Sequence, residues 1–560
     1  MSIKLKYDAI VIGSGITGGW AAKELTEKGL KTLVLERGRD VEHIKDYPTA
    51  NLPPWKFAHR GYDTRGVKDN YPVQCTNYAF NESTMHFYVN DIENPFAYPD
   101  NKPFRWIRGY QVGGRSLLWG RETYRFSDLD FEANLRDGVG VDWPIRYKDI
   151  APWYDYVERF VGISGSKENI SQLPDGQFLP PMEMNCVEKV AKAGIEKHWP
   201  DRKLIMGRGA HLTRAHLGRG PCQYRNLCER GCPYGGYFSS NSATLPAAFA
   251  TGNMTLRPFS IAHSIIYDEK RDKATGVRVL DAETGEMLEF FARIIFLNAS
   301  TLNTTWILLN SATPRFSEGL ANSSAVLGHY LMDHHKNLGA EGTWERFEDR
   351  VDYGYRPILT TIPRFRNVTE QHPDFIRGYQ TYGSANREGW WRQVEPGFGE
   401  EYKKEISRPG QWKMSLSTYG ECLPYHDNTV KLNENAKDKW GLPTLNISCV
   451  FKENEQAMRK DMLAQSVEML EVAGFKDVTS FEGENIPGFS IHEMGTARMG
   501  RDPKTSVLNK HNQCHDIPNL FITDGASMTS SACQNPSLTY MALTARACDY
   551  AVKEMKKGNL

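Results

Sequence analysis

The chain has 560 residues, 40% hydrophobic and 24% charged, with 68 basic and 68 acidic side chains and a pI near 7.2. Its length exceeds the roughly 250–300 residues at which a single core stops growing, so two domains are expected, and its neutrality removes the electrostatic case for nucleic acid or an anionic membrane. No run approaches 18 apolar residues, and the head MSIKLK leads straight into a strand, so neither a membrane-spanning helix nor an export signal of its own is expected.

Tyr7 to Gly38, YDAIVIGSGITGGWAAKELTEKGLKTLVLERG, reads as strand, tight turn, helix, strand. Gly13, Gly15 and Gly18 stand in G-x-G-x-x-G spacing. Gly13 permits the turn, Gly15 lets backbone N–H groups approach a pyrophosphate at the helix N-terminus, and Gly18 allows close helix–strand packing. Glu36 ends the second strand, where an acid bonds ribose hydroxyls. The strand before, the helix after and the acid together predict a dinucleotide site. Asp40 to Pro103 is rich in Pro, Asn, Tyr and Asp without sustained period, and reads as long excursions over the surface or the cofactor. In Arg105 to Phe126, RWIRGYQVGGRSLLWGRETYRF, Gly109, Gly113, Gly114 and Gly120 allow close backbone approach and Ser116 offers a hydroxyl, a composition suited to a flat cofactor and its phosphates or to an ordinary glycine-rich loop.

Three of the ten cysteines crowd into PCQYRNLCERGCPYGGYFSSNSATLPAA as a C-x5-C-x3-C array, Cys222, Cys228 and Cys232. Three thiolates on a short loop can converge on one inorganic cluster, and three ligands suit [3Fe–4S] better than [4Fe–4S]. Structural thiols are the alternative, and zinc would need a fourth donor such as His211 or His216. Thr255–Pro258, Ile261–Tyr267, Ala274–Leu280 and Leu288–Leu297 read as strands, with a helix through Thr305 to Asn310. His334 and His335 in LGHYLMDHH have no evident third partner and are expected to be structural.

From 336 to 485, the segments YGYRPILTTIPRF, YQTYGSANREGWWRQ and QWKMSLSTYGECLPYHDNTVKLN alternate at Lys413 to Tyr419 and Thr429 to Leu432, which predicts antiparallel strands within a mixed sheet on the substrate side. Their Tyr, Trp, Asn and Arg content suits a polyhydroxylated substrate, although aromatics at strand spacing also build cores. Asn454 to Ala473 reads as a helix ended by Gly474. His492 lies among small residues in SIHEMGTARMG, and a further strand at Leu520 leads through Asp524 and Gly525 to Asn535-Pro536-Ser-Leu-Thr539. Oxidation of an alcohol by hydride transfer needs a base for the hydroxyl proton, a role that suits an imidazole neutral near pH 7. His511 and His515 read as surface.

The dinucleotide motif, the GGxS loop, DWPIRYKDIAPWYDYVE, HEMGTARMG and NPSLT together resemble the glucose–methanol–choline (GMC) family of FAD-dependent oxidoreductases. The resemblance is dense at both ends of the chain and weak over roughly 331–485. It implies an α/β fold in which a Rossmann-like FAD domain (1–160, 215–330 and 486–560) is assembled from separated pieces beside a mixed α+β substrate domain (161–214 and 331–485). It implies FAD rather than NAD, a base at His492 and an orienting amide at Asn535, which would also touch the cofactor. Gly13, Gly15, Ile16, Thr17, Gly18, Glu36, Arg37, Gly109, Gly113, Gly114, Ser116, Leu117, Gly120, Asp524, Gly525 and Pro536 are the further cofactor-binding positions expected. Where pyranose oxidases carry a flavin-linked histidine in a GGMSTHW-like pattern, this chain reads GGRSLLW with Leu118, so the FAD is expected to be non-covalent.

The cysteine loop resembles that of bacterial FAD glucose and fructose dehydrogenases, where this spacing carries [3Fe–4S]. Together with the unsignalled chain it looks most like bacterial glucoside 3-dehydrogenases, which make 3-keto sugars. The expectation is therefore an FAD sugar dehydrogenase passing electrons through a cluster to a cytochrome c-type acceptor. A small partner subunit with its own export signal would carry it to the periplasm; cytoplasmic residence is the alternative. A cluster-free GMC oxidase using dioxygen would share every flavin motif.

Overall fold

A computed structural model of the chain describes residues 6–352, 354–387 and 397–560. The Rossmann-type opening forms as the glycine spacing dictates. Strand β1 (Ala9–Ile12) is buried on both faces and leads through Gly13, at φ +96°, into helix α1 (Ile16–Glu27), followed by β2 (Thr32–Leu35). A Cβ on Gly18 would lie 1.9 Å from the carbonyl oxygen of Gly13, so helix and strand touch here only because both positions lack side chains.

The chain leaves this sheet for more than two hundred residues and returns as β3 (Met254–Arg257). A meander of β4 (Ser260–Asp268), β5 (Lys273–Asp281) and β6 (Met287–Phe291) leads to β7 (Ile294–Leu297) and helix α2 (Thr301–Leu309). The stretch expected as one strand from Leu288 to Leu297 is thus two, broken at Ala292 and Arg293: β6 completes the antiparallel meander, while the all-apolar β7 enters the parallel sheet. Helix α2 begins earlier than expected, at Thr301.

The third section supplies β8 (His329–Met332), β9 (Leu338–Trp344), β10 (Thr360–Ile362), β11 (Tyr379–Arg387), β12 (Trp412–Gly420), β13 (Thr429–Lys437), β14 (Pro443–Ser448), helix α3 (Glu453–Val472) and β15 (Lys476–Glu482). Then β16 (Met494–Thr496), β17 (Leu520–Ile522) and helix α4 (Ser537–Lys556) close the chain. The parallel sheet has the order β17-β7-β1-β2-β3, so strands from both ends and the middle of the sequence are neighbours. Phe296 and Phe521 stack across β7 and β17 with ring centroids 4.8 Å apart.

The six-stranded sheet, β15-β9-β12-β11-β10 plus the short strand Ile205–Met206, pairs antiparallel throughout instead of forming the mixed sheet expected. Strands β10, β11 and β12 follow one another as neighbours, while β9 pairs with β12 and β15 comes in beside β9 only after helix α3. Strand β12 alternates strictly between buried and partly exposed positions and carries Tyr419 outward from the core stripe of Trp412, Met414 and Leu416. The aromatic stretch 379–393 leaves the described residues at 388, so its two tryptophans lie outside them. A third sheet, β14-β13-β8-β16, joins the section before His334 to the strand after His492. Among the described residues no helix is long and apolar enough to cross a membrane.

Candidate active site

One cavity of about 750 Å³ runs from the β1–α1 turn to His492 and Asn535. That is toward the upper end for small-molecule and cofactor sites, about 300–1,000 Å³. At the turn, Glu36 is buried and already engaged: its carboxylate accepts from Ser14 N at 3.1 Å, Ser14 Oγ at 2.5 Å and Gly38 N at 3.0 Å. Burial raises its pKa, and these donors pull the other way. Ser14 Oγ also accepts from Gly113 N at 2.9 Å, which ties the glycine loop to the turn. Gly15 differs from its partners in the motif, since a Cβ there would have no protein atom nearer than 4.0 Å. What Gly15 keeps open is the cavity itself.

The expected cofactor positions divide on inspection. Gly13, Gly15, Ile16, Thr17, Glu36, Arg37, Gly109, Gly114, Ser116, Gly120, Asp524, Gly525, Asn535 and Pro536 line the cavity; Gly18, Gly113 and Leu117 do not. Gly18 faces Gly13, a Cβ on Gly113 would meet Asn241 Oδ1 at 1.7 Å, and Leu117 is fully buried in an apolar cluster. Ser116 lines the wall, but its hydroxyl donates to Gly113 O at 2.6 Å and accepts from Ser240 N at 3.0 Å, so it holds the loop. Asn298 Oδ1 and Tyr540 Oη are buried on the same wall without protein partners. An open glycine, an acid at the second strand and unpaired polar atoms facing one cavity fit FAD.

At the far end, His492 Nε2 lies 3.3 Å from Asn535 Nδ2. The Tyr382 hydroxyl donates to Asn535 Oδ1 and so turns the amide nitrogen toward the imidazole. The other ring nitrogen, His492 Nδ1, lies 2.9 Å from His334 Nδ1, and His334 Nε2 lies 2.8 Å from Ala532 O. His334, expected to be structural for want of a third partner, is in contact with the residue expected to be the base. The two are 158 positions apart in sequence, and the end of β8 brings them together. His335 is fully buried on the opposite side and does not line the cavity. Asp333 accepts from Gly488 N at 2.7 Å, Ser490 N at 3.3 Å, Ser490 Oγ and His492 N at 3.0 Å, and so fixes the loop that carries His492. Burial, reinforced by His334, Lys336 and Arg115, holds His492 well below the ordinary imidazole range and leaves it neutral at pH 7.

Between these ends the wall is built from residues that no motif marks. The Lys336 ammonium lies over the rings of Tyr419 at 5.3 Å and Phe489 at 4.8 Å, with no carboxylate among the described residues in an ion pair with it. Burial lowers its pKa to about 8. Glu122 accepts from Tyr124 Oη at 2.6 Å, and burial raises it to about 8, so it is a neutral carboxylic acid at pH 7. Tyr78, Arg121, Tyr382 and Tyr419 complete a polar and aromatic surface. No spacing in the sequence announces it, because its members come from loops and strands as far apart as Tyr78 and Tyr419.

The cysteine loop does not meet its expectation. Among the described residues no group of three or more His, Cys, Asp and Glu is placed to hold a metal ion. Burial raises the thiols of Cys222 and Cys228. Cys228 lines the cavity while Cys222 and Cys232 do not. His211 is buried beside Tyr237, and His216 Nε2 is 2.8 Å from Arg159 O, so neither supplies a fourth ligand. The residues as arranged do not fit the cluster.

Comparison with known proteins matches the model described as GMC oxidoreductase to residues 7–336, and a second of the same description to residues 424–544. A 2-methyl-1,2-propanediol dehydrogenase of Mycolicibacterium austroafricanum is 29% identical over 97% of this chain and 94% of its own. The fructose dehydrogenase large subunit of Gluconobacter japonicus is 26% identical over 99% of each. Among solved structures, a formate oxidase of Aspergillus oryzae superposes with a TM-score of 0.61 over 99% of each chain at 14% identity, a likeness of fold alone.

Proposed function

We propose a function from one premise: the chain belongs to the GMC oxidoreductase family, whose model covers residues 7–336. It is an enzyme, an FAD-dependent oxidoreductase acting on the CH–OH group of an alcohol or sugar. FAD, when bound, supplies the acceptor for the carbinol hydride. The chain's own part is the proton: His492 Nε2 takes it from the substrate hydroxyl while Asn535 Nδ2, turned by Tyr382, orients that hydroxyl. The observation that carries this reading is the 3.3 Å approach of those two nitrogens on the wall of the cavity that starts at Gly15.

The substrate is a sugar or glucoside oxidised at a secondary carbon, C3, to a 3-keto sugar. Supporting this are the polar wall of Tyr78, Glu122, Lys336, Tyr382 and Tyr419, which offers both rings and hydrogen-bonding heads to a polyhydroxylated ring, and the likeness to a fructose dehydrogenase subunit. The FAD is non-covalent, as Leu118 leaves that position without a nucleophile. Residues 1–160, 215–330 and 486–560 form the cofactor domain, and 161–214 with 331–485 the substrate domain. Electrons leave to an external acceptor, a cytochrome c-type protein reached with a small partner subunit, and no step is drawn through the cysteine loop. The test is anaerobic bleaching of the flavin by glucose, methyl glucosides, disaccharides, polyols and simple diols, with product regiochemistry by NMR. Bleaching by simple diols alone overturns the sugar reading; bleaching by glucosides with a product ketone elsewhere overturns C3.

A further inference from the structure

The hydrogen bonds around His492 run in one direction, and that direction decides which nitrogen is free. Ala532 O can only accept, so His334 Nε2, 2.8 Å away, carries a hydrogen. A neutral His334 then has its lone pair on Nδ1. His492 Nδ1 faces that lone pair at 2.9 Å and must itself be the donor. His492 Nε2 is left unprotonated, and Asn535 Nδ2, 3.3 Å away, donates to it. Tyr382 starts the chain by donating to Asn535 Oδ1. Every member is satisfied in this arrangement, and reversing the His492 tautomer would set two lone pairs against each other at one end and two N–H groups against each other at the other.

Resting on the reading of His492 as base, we propose that His334 is its positioning residue: the His334 Nδ1 lone pair holds the His492 hydrogen on Nδ1 and so keeps Nε2 unprotonated, ready to take the substrate's proton when the hydroxyl replaces the Asn535 contact. The backbone is built around this contact. Ile491, immediately before the base, sits at φ +66°, a left-handed conformation costly for a β-branched residue, and Ala532, which supplies the terminal carbonyl, sits at φ +52°. The hydrogen bonds to Asp333 hold the first in place. Burial lowers His334 to about 4, so it stays neutral with its lone pair available across the working pH range. Once His492 has taken the proton on Nε2, its Nδ1–H still donates to His334, which stabilises the imidazolium without taking the proton itself. A carboxylate often fills this place behind a catalytic imidazole. Here a second, neutral imidazole anchored on a carbonyl does so.

The experiment compares His334→Leu, which removes the acceptor, with His334→Asn, whose Oδ1 can stand where Nδ1 stood, by stopped-flow flavin reduction with sugar, alongside FAD content and thermal midpoint. Removing an outer group that orients a reacting one lowers rates by about 10- to 100-fold, so His334→Leu should reduce its flavin that much more slowly with the KM for sugar little changed, and His334→Asn should recover about tenfold of the loss. Equal losses in both variants, or no loss in His334→Leu, overturn the proposal. If His334→Leu does not take up FAD, His334→Asn decides alone: a rate within about tenfold of the unsubstituted enzyme supports the role and a slower one overturns it. Failure of the base assignment is read separately, as a His492→Ala variant that reduces its flavin at the unsubstituted rate.

Discussion

The two ends of the cavity are built by different means. At the cofactor end one unbroken stretch, β1 to β2, supplies the turn and the acid, joined in the wall by residues of the Gly109–Gly120 loop and by Asp524 and Gly525, and the key positions of that stretch are fixed by backbone geometry: Gly13 by its φ of +96° and Gly18 by a 1.9 Å approach to a carbonyl. At the substrate end Glu122, Lys336, Tyr382, Tyr419, His492 and Asn535 come from six separate segments, with side-chain hydrogen bonds fixing Glu122, Tyr382, His492 and Asn535 and ring contacts holding Lys336 against Tyr419. The first end tolerates little change because there is no room; the second can be changed residue by residue, with consequences set by chemistry. The largest expected effect lies at the second end. His492→Ala should slow flavin reduction by about 10²–10⁴, the range for loss of a general base, with FAD retained. Rapid-mixing kinetics on FAD-replete protein measures it, and loss of FAD together with rate would mean that the two ends are not separable in this way.

The contrast within the glycine motif sharpens the first half. Gly18→Ala must move Gly13 and should cost about 1–3 kcal/mol of stability through overpacking, read as a lower denaturation midpoint even without FAD. Gly15→Ala meets no protein atom within 4.0 Å and should leave the apoprotein midpoint unchanged while weakening FAD binding. Equal effects of the two substitutions on the apoprotein would break the distinction between a glycine needed for packing and one needed for a ligand.

The same division governs what was legible in the sequence. The opening unit and the strands that become β7 and β17 follow from local patterns, because glycine spacing and all-apolar runs are statements about neighbours in the chain, whereas the pairing of His492 with Asn535 came from the family resemblance alone. His334 was misread since its partner is 158 positions away and adjacent histidines give no period. Leu117 and Ser116 were assigned to the cofactor by proximity to glycines, although one faces the core and the other's hydroxyl is used within the loop. The cysteine array is the opposite case: its spacing is distinctive, yet among the described residues no group of three or more His, Cys, Asp and Glu is placed to hold a metal ion. Tyr419 stood only within an aromatic-rich segment, and Lys336 and Glu122 carried no signal at all, since each is an ordinary residue until the tertiary fold turns it into the cavity.

Lys336 offers a smaller test of the substrate end. Among the described residues it is in no ion pair, Asp333 favouring its charge only from further off, and it lines the cavity, so a substrate oxygen is a natural acceptor. A hydrogen bond to a charged group contributes about 1.5–3 kcal/mol, so Lys336→Met should raise KM by about tenfold or more with less effect on the maximal rate. With the folded pKa at about 8, KM for the unsubstituted enzyme should rise above that pH and the variant's should not. Stability has the reverse slope. The folded pKa lies below the ordinary lysine value of about 10.4, so burying the ammonium is unfavourable below pH 8, and the penalty fades as pH climbs between the two values. A pH-independent KM in the unsubstituted enzyme would remove Lys336 from substrate contact.

The smallest effect should come from Glu122, where the charge state, and not the shape, is in question. Burial raises the carboxyl to about 8 despite hydrogen bonds from Tyr124 and the Leu359 backbone and the nearby Arg121, so near pH 7 it is an acid with a hydrogen to donate. Glu122→Gln has nearly the same shape and also presents a donor and an acceptor, and should therefore behave within about tenfold of the unsubstituted enzyme at pH 7, as exchange of one neutral hydrogen-bonding group for another involves about 0.5–1.5 kcal/mol at most. The two should part above pH 8, where Glu122 ionises beside Tyr382 and Tyr419 and the amide cannot. The sign also holds for folding: a carboxyl whose folded pKa exceeds its ordinary value of about 4.3 opposes folding as pH rises through that interval, and the glutamine variant should lose this slope in its denaturation midpoint between about pH 5 and 8. A variant already impaired at pH 7 and equally so at pH 9 would mean that Glu122 works as a carboxylate, and that the substrate end is tuned by charge where burial argues for neutrality.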